Sequence, residues 1–163
     1  MLIRPADASD LPAIAAIYAD EVRTGVATFD LEPRSLEVWE ARLASTETGD
    51  HLLVAEEGGE VCGYAHSSAY RPKAGYRHTR ETTIYLAPGC QGKGVGKIMY
   101  DDLLARLVAD GIHLALAGIA LPNPASLALH RACGFEEVGV MREVGRKFDR
   151  WIDVVWLQRI LVS

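Results

Sequence analysis

The sequence predicts an α/β or α+β fold in which helices flank a mixed central sheet. Three observations lead to this prediction. Apolar patterns of strand and helix period follow one another in the order β-α-α-β-β-β-α-β-α-β-β. The dipeptide Gly58-Gly59 joins two strand patterns and is typical of a hairpin turn. A glycine-rich turn at residues 89–96 then leads from a strand into a helix.

The N-terminal part is predicted to be a short strand followed by two helices. The strand covers residues 2–4. The first helix has capping residues at 7–10 and a first-turn Pro12. Its apolar stripe consists of Leu11, Ile14, Tyr18 and Val22. The second helix starts after Pro33 and places Leu36, Trp39 and Leu43 on one face.

The middle of the chain is predicted to be a hairpin and a third strand. Strand patterns cover residues 51–56 and 61–70, on either side of the Gly-Gly turn. A loop rich in cations, residues 71–79, leads to a β-rich run at residues 82–86. Pro88 ends this run.

The C-terminal part continues the alternation. The helix after the glycine turn has apolar residues at four-residue steps and ends at Gly111, and an apolar strand covers residues 112–119. The dipeptide Asn123-Pro124 is typical of a helix start. Gly134 ends this helix. The last two strand patterns are residues 135–141 and 151–161.

The composition excludes several classes of protein. With 163 residues, 49% of them hydrophobic and 24% charged, we expect one domain, residues 1–163. A net charge of -5 argues against a nucleic-acid partner. No apolar run approaches about 18 residues and the start lacks the pattern of a signal peptide, so we expect no membrane partner. The cysteines Cys62, Cys90 and Cys133 are typical of free thiols, and we expect a cytoplasmic protein.

The glycine-rich turn predicts an anion site. Gly92, Gly94 and Gly96 let the backbone bend tightly, and the helix that follows directs its free N–H groups back at the turn. Lys93 and Lys97 add positive charge. A turn without a ligand is the alternative, but the strand before it and the helix after it favour phosphate binding.

Two common phosphate signatures do not fit this turn. A Walker A loop needs a glycine where Ala87 stands and Ser or Thr where Gly94 stands. A dinucleotide fingerprint needs a glycine where Lys97 stands. The pattern Gln91-x-x-Gly94-x-Gly96 instead resembles the acetyl-coenzyme A signature of the GNAT superfamily of N-acetyltransferases, in which the turn amides hold the pyrophosphate of the coenzyme.

Longer segments resemble one branch of that superfamily, the phosphinothricin and methionine sulfoximine or methionine sulfone N-acetyltransferases. The segments are residues 76–85, 123–130 with 134–135, and 145–153. The resemblance implies two splayed parallel strands, acetyl-CoA as co-substrate, a homodimer, and direct acetylation of the α-amino group of a small amino acid or toxic analogue. Arg80 and Thr82 depart from the branch's pattern, and we expect both near the substrate pocket, which leaves the exact amine open.

The same resemblance assigns the coenzyme to the splayed strands and the turn. The pantetheine arm pairs with the backbone of the strand that ends at Leu86, whose N–H region faces the thioester oxygen. Asn123 caps its helix and, by resemblance, also bonds to the pantetheine arm. The expected coenzyme contacts are Ile84, Tyr85, Leu86, Gln91, Gly92, Lys93, Gly94, Val95, Gly96, Lys97, Asn123 and Ser126.

Two residues are candidate catalytic groups. Period two places Glu81 on the same strand face as Thr83 and Tyr85, where a partly buried carboxylate could accept a proton. A solvated charge at a strand end is the alternative, and the resemblance favours the base. His130 stands where many GNAT proteins carry a tyrosine general acid, and its alternative is a histidine that only packs.

A basic loop supplies candidate substrate contacts. Its cations suit a small anionic group such as an amino-acid carboxylate, and a solvated loop is the alternative. These cations are Arg71, Lys73, Arg77, His78 and Arg80. The expected substrate contacts, which the resemblance extends to aromatic residues, are Phe29, Lys73, Gly75, Tyr76, Arg77 and Glu81.

Other chemistries are disfavoured. His130 and Cys133 lie three residues apart, but no further ligands have a companion spacing, so we expect no metal. No cysteine has a clear activating neighbour, which argues against a covalent acetyl-cysteine. The hypothesis is an acetyl-CoA-dependent N-acetyltransferase of small amino-acid amines. The alternatives are a GNAT protein that acetylates a peptide N-terminus or another small amine, and an acetyl-CoA-binding module without catalysis.

Overall fold

The structure is a computed structural model that describes residues 1–161. Its helices and strands follow the predicted order. They are β1 (Leu2–Pro5), α1 (Leu11–Thr24), α2 (Leu36–Leu43), β2 (His51–Glu57), β3 (Glu60–Ala69), β4 (Thr79–Leu86), α3 (Val95–Ala109), β5 (Leu114–Ala120), α4 (Pro124–Ala132), β6 (Glu136–Lys147) and β7 (Arg150–Ile160). Single 3₁₀ turns precede α1, at Ala8–Asp10, and β4, at Ala74–Tyr76.

The strands form one mixed sheet, as predicted. Their spatial order is β1-β2-β3-β4-β5-β7-β6, and within residues 1–161 only β4 and β5 pair in parallel. Parallel neighbours need a long crossover connection, and here the segment that contains the glycine-rich turn and α3 supplies it. The fold therefore places the turn beside the one parallel pair.

The helices cover both faces of the sheet, because each has one apolar stripe. On one face, Tyr18 of α1 and Trp39 of α2 pack edge-to-face at 5.4 Å, above Tyr64 of β3. On the other face, Met99 and Leu103 of α3 are buried in a core that includes β2, β3, β5 and β7. Burial of each such side chain contributes about 1.5–3 kcal/mol, so the two cores fix the sheet between its helices.

The turns follow the chemistry of their residues. Gly58 and Gly59 have φ values of 63° and 87°, which a two-residue hairpin loop of type I′ requires. Gly111 has a φ of 73° directly after α3, and the N–H of Ile112 closes that helix end on the carbonyl of Leu107 at 3.0 Å. For this reason β5 starts at Leu114 and not at residue 112 as predicted.

The prediction that the penultimate strand ends at residue 141 is wrong. β6 extends to Lys147 and forms a hairpin with β7 through Phe148 and Asp149. The pairing of β6 with β7 shifts register between Met141 and Gly145, and Glu143 in between has a φ of 51°. Such a bulge breaks the period-two alternation, so the sequence pattern ends earlier than the strand.

Within the described part of the chain, every helix is too short or too polar to cross a bilayer.

Candidate active site

The large cavity of the structure opens where β4 and β5 separate. The two strands pair through residues 79–81 and 114–116, although β4 continues to Leu86 and β5 to Ala120. The cavity has a volume of about 630 Å³ and is lined from both strands, from the glycine-rich turn and from α4. This geometry confirms the prediction of two splayed parallel strands.

The glycine-rich turn forms one wall of the cavity. Gly92 and Gly94 have φ values of 73° and 80°, and Gly94 is the N-cap of α3. Because glycine has no side chain to cap the helix, the first N–H groups of α3 are left for a ligand. A Cβ on Gly96 would lie 3.0 Å from Leu129, so a glycine there lets α3 and α4 approach closely.

The two lysines of the turn differ in their positions. Lys97 lines the cavity, and its ammonium lies 2.6 Å from both carboxylate oxygens of Asp101, so its charge is already paired. Lys93 is not among the residues that line the cavity. Of the two lysines, only Lys97 borders this wall, and the helix N-terminus adds its own partial positive charge there.

Asn123 caps α4, as predicted. Its Oδ1 accepts a hydrogen bond from the backbone N–H of Ser126 at 3.0 Å. Both residues line the cavity, as does the glycine-rich turn. The cap therefore fixes the α4 N-terminus at the cavity wall.

Glu81 lies where the strand pairing stops. It is half-buried, and this burial raises the pKa of its carboxyl group. Thr83 and Tyr85 share its strand face, as period two predicted, and all three side chains line a second, smaller cavity beside the large one. A carboxylate with a raised pKa at the edge of a cleft is suited to general-base chemistry.

His130 is buried and has a hydrogen-bond partner at each ring nitrogen. Its Nδ1 lies 2.7 Å from the carbonyl oxygen of Ser126, which can only accept, so Nδ1 carries the hydrogen. Its Nε2 lies 2.8 Å from the hydroxyl of Tyr100 and accepts from it in the neutral ring. Burial lowers the pKa of His130, which keeps the imidazole neutral at pH 7.

The hydrogen-bond chain continues past Tyr100 to the sheet. Its hydroxyl lies 3.2 Å from Oγ1 of Thr82, which also lies 3.1 Å from the carbonyl oxygen of Leu116 and can donate its one hydrogen to either acceptor. These are the residues at which β4 and β5 cease to pair. Thr82, which departs from the resembled pattern, therefore connects β4 to β5 at the point where the two strands begin to separate. It also lines the cavity.

A comparison with protein families decides the identity of this site. The model of the acetyltransferase (GNAT) domain matches residues 3–156. This chain belongs to the GNAT acetyltransferase family. It is an N-acetyltransferase of that family.

Three similar proteins indicate which GNAT acetyltransferases this chain resembles. A phosphinothricin N-acetyltransferase of Alcaligenes faecalis is 46% identical over 154 residues, which cover 93% of this chain and 78% of the relative. An L-methionine sulfoximine/L-methionine sulfone acetyltransferase of Pseudomonas paraeruginosa is 40% identical, with 96% and 92% covered. A crystal structure of a phosphinothricin acetyltransferase from Sinorhizobium meliloti in complex with acetyl-CoA is 41% identical, has a TM-score of 0.93, and covers 98% of this chain and 87% of its own.

The GNAT site brings together most of the predicted residues. Besides Glu81 and His130, the cavity is lined by every predicted coenzyme contact except Lys93. Phe29 also lines it and packs so closely on Gly145 that a Cβ there would overlap its ring.

The predicted basic loop lies outside both cavities. Tyr76 packs edge-to-face on Tyr70 at 5.4 Å, and the guanidinium of Arg77 donates to the carbonyl of Ala74. Lys73 and Gly75, like these two, line neither cavity, so their substrate contacts stay a prediction.

The expectation that Arg80 lies near the pocket is wrong. Strand alternation places Arg80 on the face opposite Glu81. Arg80 is 5% exposed, and its guanidinium donates to the carbonyl of Thr48 and lies 3.4 Å from Asp50. It therefore anchors the loop before β2 and lines neither cavity.

Three polar residues of the site had no signal strong enough for prediction from the sequence. Tyr100 forms a hydrogen bond with His130, and Arg34 and Arg42 line the smaller cavity. Thr82 lines the large cavity, as expected. Tyr100 lies beside Met99 on the buried face of α3, and a polar group at such a position was the one available signal. Among residues 1–161, no three His, Cys, Asp or Glu side chains form a group that could hold a metal ion.

Proposed function

We propose that this GNAT protein transfers the acetyl group of acetyl-CoA to the α-amino group of a small amino acid or a toxic analogue. Phosphinothricin, methionine sulfoximine and methionine sulfone are the leading substrates, because relatives of 40–46% identity are named for them. The observation that carries the proposal is one continuous cavity that joins a helix N-terminus, splayed strands and the Glu81 carboxylate.

The coenzyme occupies the strand-and-turn side of this cavity. Its pyrophosphate binds the free N–H groups of the turn around Gly92 and Gly94, where the helix dipole favours an anion. Its pantetheine arm lies between β4 and β5, whose facing backbone groups beyond the paired residues 79–81 are available to it. Asn123 and Ser126 of α4 border this path.

Glu81 removes the proton that blocks attack by the amine. An α-ammonium group has no free electron pair, so it must lose a proton before its nitrogen bonds to the thioester carbonyl. The raised pKa of Glu81 makes its carboxylate a better proton acceptor than an exposed one. As the new C–N bond forms and the C–S bond breaks, the sulfur leaves as the thiolate of coenzyme A.

The Tyr100–His130 pair supplies the proton for the leaving thiolate. Both side chains line the large cavity and share a hydrogen bond of 2.8 Å. A ring that is protonated at both nitrogens can give one proton to the thiolate and return to the neutral form. His130 stays the candidate catalytic acid, and Tyr100 positions it through the shared hydrogen bond.

A thiol-release assay tests the proposed function. The purified protein is incubated with acetyl-CoA and a panel of amino acids, the three analogues and short peptides, and free coenzyme A is measured with a thiol reagent. Release with an amino acid or analogue and not with peptides is the expected result. Release with peptides alone would indicate an enzyme that acetylates peptide N-termini. If calorimetry shows coenzyme binding but no free coenzyme A is released, the protein is a non-catalytic module.

The β6–β7 hairpin supports a homodimer. Its exposed side chains are unusually apolar for a surface. They include Val138, Val140, Met141, Val144, Phe148 and Trp151, each at least 44% exposed. β6 is also an edge strand of 12 residues. Sedimentation velocity should give twice the chain mass of 17.8 kDa, and a single 17.8 kDa species would refute the dimer.

Two further proposals concern the whole chain. All three cysteines are free among the described residues, which supports a cytoplasmic location. A single sheet that includes strands from both ends of the chain supports one domain over residues 1–163, of which 162 and 163 lie outside the described residues. One cooperative unfolding transition by calorimetry and fluorescence is the expected result for one domain.

A further inference from the structure

The smaller cavity, of about 200 Å³, adjoins the large one and shares Glu81 with it. Each of its nine lining residues carries a nitrogen or oxygen atom in its side chain. Such a lining is unusual next to a core of Tyr18 and Trp39, because buried space is normally apolar. Two of the lining residues are arginines, Arg34 before α2 and Arg42 within it.

The two arginines differ in how their charge is compensated. The Nε of Arg34 lies 2.6 Å from a carboxylate oxygen of Asp30. Arg42 has no carboxylate oxygen within 4 Å among residues 1–161. Its Nε is buried and has no hydrogen-bond partner in that part of the chain. Arg42 lines the cavity, and a cation without a paired carboxylate at such a position is suited to bind an anion.

His66 does not compensate Arg42. The Nη1 of Arg42 lies 3.0 Å from Nδ1 of His66 and can only donate, so Nδ1 accepts and the ring is neutral. Burial and the nearby arginines lower the pKa of His66, which agrees with a neutral ring. This contact therefore orients the guanidinium without neutralising its charge.

The nearby Asp50 attracts Arg42 only from beyond ion-pair distance. Its Oδ2 accepts from the hydroxyl of Ser45 at 2.7 Å, and its Oδ1 lies 3.4 Å from Nε of Arg80. Burial, and next the charge of Arg34, lower the pKa of Arg42. The surroundings of Arg42 thus disfavour its charged form. An anionic ligand in the smaller cavity would stabilise that charge.

The strand register places this cation at a useful distance from Glu81. Ser68 of β3 lies opposite Glu81, and His66 lies opposite Thr83, one pair further along. Two pairs on one sheet face are separated by roughly 7 Å. The guanidinium of Arg42 contacts His66. It is therefore offset along the strands from the Glu81 carboxylate, the proposed proton acceptor, by about the length of a small amino acid.

We propose that the smaller cavity is an oxyanion subsite in which Arg42, with Arg34 beside it, binds a carboxylate or phosphinate of the amine substrate. This inference rests on the proposed function, because the amine of the same molecule lies at Glu81. The subsite selects amines that carry a compact oxyanion a few bonds from the nitrogen. It uses residues of the α2 region and none of the predicted basic loop.

Arg42→Gln tests the subsite with three amines. Methionine sulfone carries only an α-carboxylate, phosphinothricin carries a carboxylate and a phosphinate, and methionine sulfone amide carries neither. We expect kcat/KM to fall about 10- to 100-fold for the substrates whose oxyanion binds Arg42, with little change for the amide. Arg42→Lys should restore part of the loss, because it keeps the charge.

The pattern of losses identifies the bound group. Losses for both acids assign the α-carboxylate, and a loss for phosphinothricin alone assigns the phosphinate. Equal losses for all three amines, or no loss, would overturn the subsite. Arg106→Gln is the matched control, since Arg106 pairs with Asp102 on α3 and lines neither cavity, and it should leave all three values unchanged.

A binding measurement separates failure of the subsite from failure of the proposed function. If the unmodified protein acetylates none of the three amines, the proposed function fails. Inorganic phosphate is then titrated calorimetrically into protein whose coenzyme site is filled with coenzyme A. Binding that Arg42→Gln abolishes supports the subsite, and binding that is absent or identical in both proteins rejects it.

Discussion

The hydroxyl of Tyr100 lies 2.8 Å from Nε2 of His130, so the imidazole that lines the large cavity is bound to α3 as well as to its own helix. The other ring nitrogen is fixed by the carbonyl of Ser126. This arrangement sets both the tautomer and the orientation of the ring. The reactivity of His130 therefore depends on a residue that is itself completely buried.

Tyr100→Phe removes that hydroxyl and keeps the ring. We expect kcat to fall about 10-fold with little change in KM for acetyl-CoA, because the variant loses one hydrogen bond at the proton donor and none at the turn. The pH dependence of kcat should also shift, since the environment of His130 changes. The measurement is a series of steady-state assays between pH 6 and 9.

A purely structural role for Tyr100 would give a different result. Leaving Nε2 of His130 without a partner costs about 1–3 kcal/mol of stability in either case. If kcat and its pH profile stay unchanged while the unfolding free energy falls, the pair only packs. Tyr70→Phe is the control, because Tyr70 contacts Tyr76 and Trp156 and does not line the large cavity.

Glu81→Gln should reduce kcat about 100- to 10,000-fold, which is the usual contribution of a general base. Acetyl-CoA affinity, measured by calorimetry, should change little because the turn is untouched. In the unmodified protein, activity should fall as the pH drops through a pKa that burial has raised above the ordinary glutamate range. Turnover within about 3-fold of the unmodified protein would remove Glu81 from the mechanism.

The same substitution should make the protein more stable at neutral pH. The folded state raises the pKa of Glu81, so folded protein binds this proton more readily than unfolded protein. Its charged form therefore opposes folding at a pH above that raised pKa. Glu81→Gln removes the charge, and urea unfolding at pH 7.5 should show a higher unfolding free energy. A lower value would mean that the carboxylate is stabilised by a contact that glutamine cannot replace.

Local sequence patterns predicted the elements of this fold because each has one apolar stripe or one clear turn. The glycines at 58, 59, 92, 94 and 111 have positive φ, so they marked turns and helix ends correctly. β6 exceeded its predicted length because a bulge near Glu143 breaks the alternation.

The site was predicted less completely than the fold. Glu81 and His130 were found because a resemblance named their positions. Arg42 and Tyr100 were missed because their roles depend on contacts with His66 and His130, which lie 24 and 30 positions further along the chain. Local patterns carry no information about such partners. Arg80 was misplaced for the same reason, since its partner Thr48 precedes it by 32 residues.

His66 should make the protein lose stability in mild acid. Its folded pKa lies well below that of an unfolded histidine, because the side chain is buried and Arg42 and Arg34 repel a proton. Unfolded protein therefore binds this proton more readily, and the stability contributed by the neutral ring is lost as the pH falls below about 6.5. The expected loss is about 1.4 kcal/mol per pH unit.

His66→Gln isolates this contribution. A glutamine oxygen can still accept from Arg42 but does not titrate. Unfolding free energies from urea titrations at pH 7.5, 6.5 and 5.5 should fall less steeply for the variant than for the unmodified protein. Because burial also lowers the pKa of His130, some dependence should remain. Parallel curves for the two proteins would show that His66 does not carry the effect.

Gly94→Ala should weaken acetyl-CoA binding far more than Gly89→Ala. Both glycines have positive φ, 80° and 86°, and a Cβ at either would meet no protein atom within 4 Å. Both substitutions therefore cost about the same strain, about 1–2 kcal/mol. Only Gly94 is the N-cap of α3 and lines the cavity, so only its new methyl group would occupy the space of the pyrophosphate. KM for acetyl-CoA should rise at least 10-fold for Gly94→Ala and less than 3-fold for Gly89→Ala, with similar melting temperatures for both variants. Equal KM values would place the pyrophosphate elsewhere and reject the turn as its site.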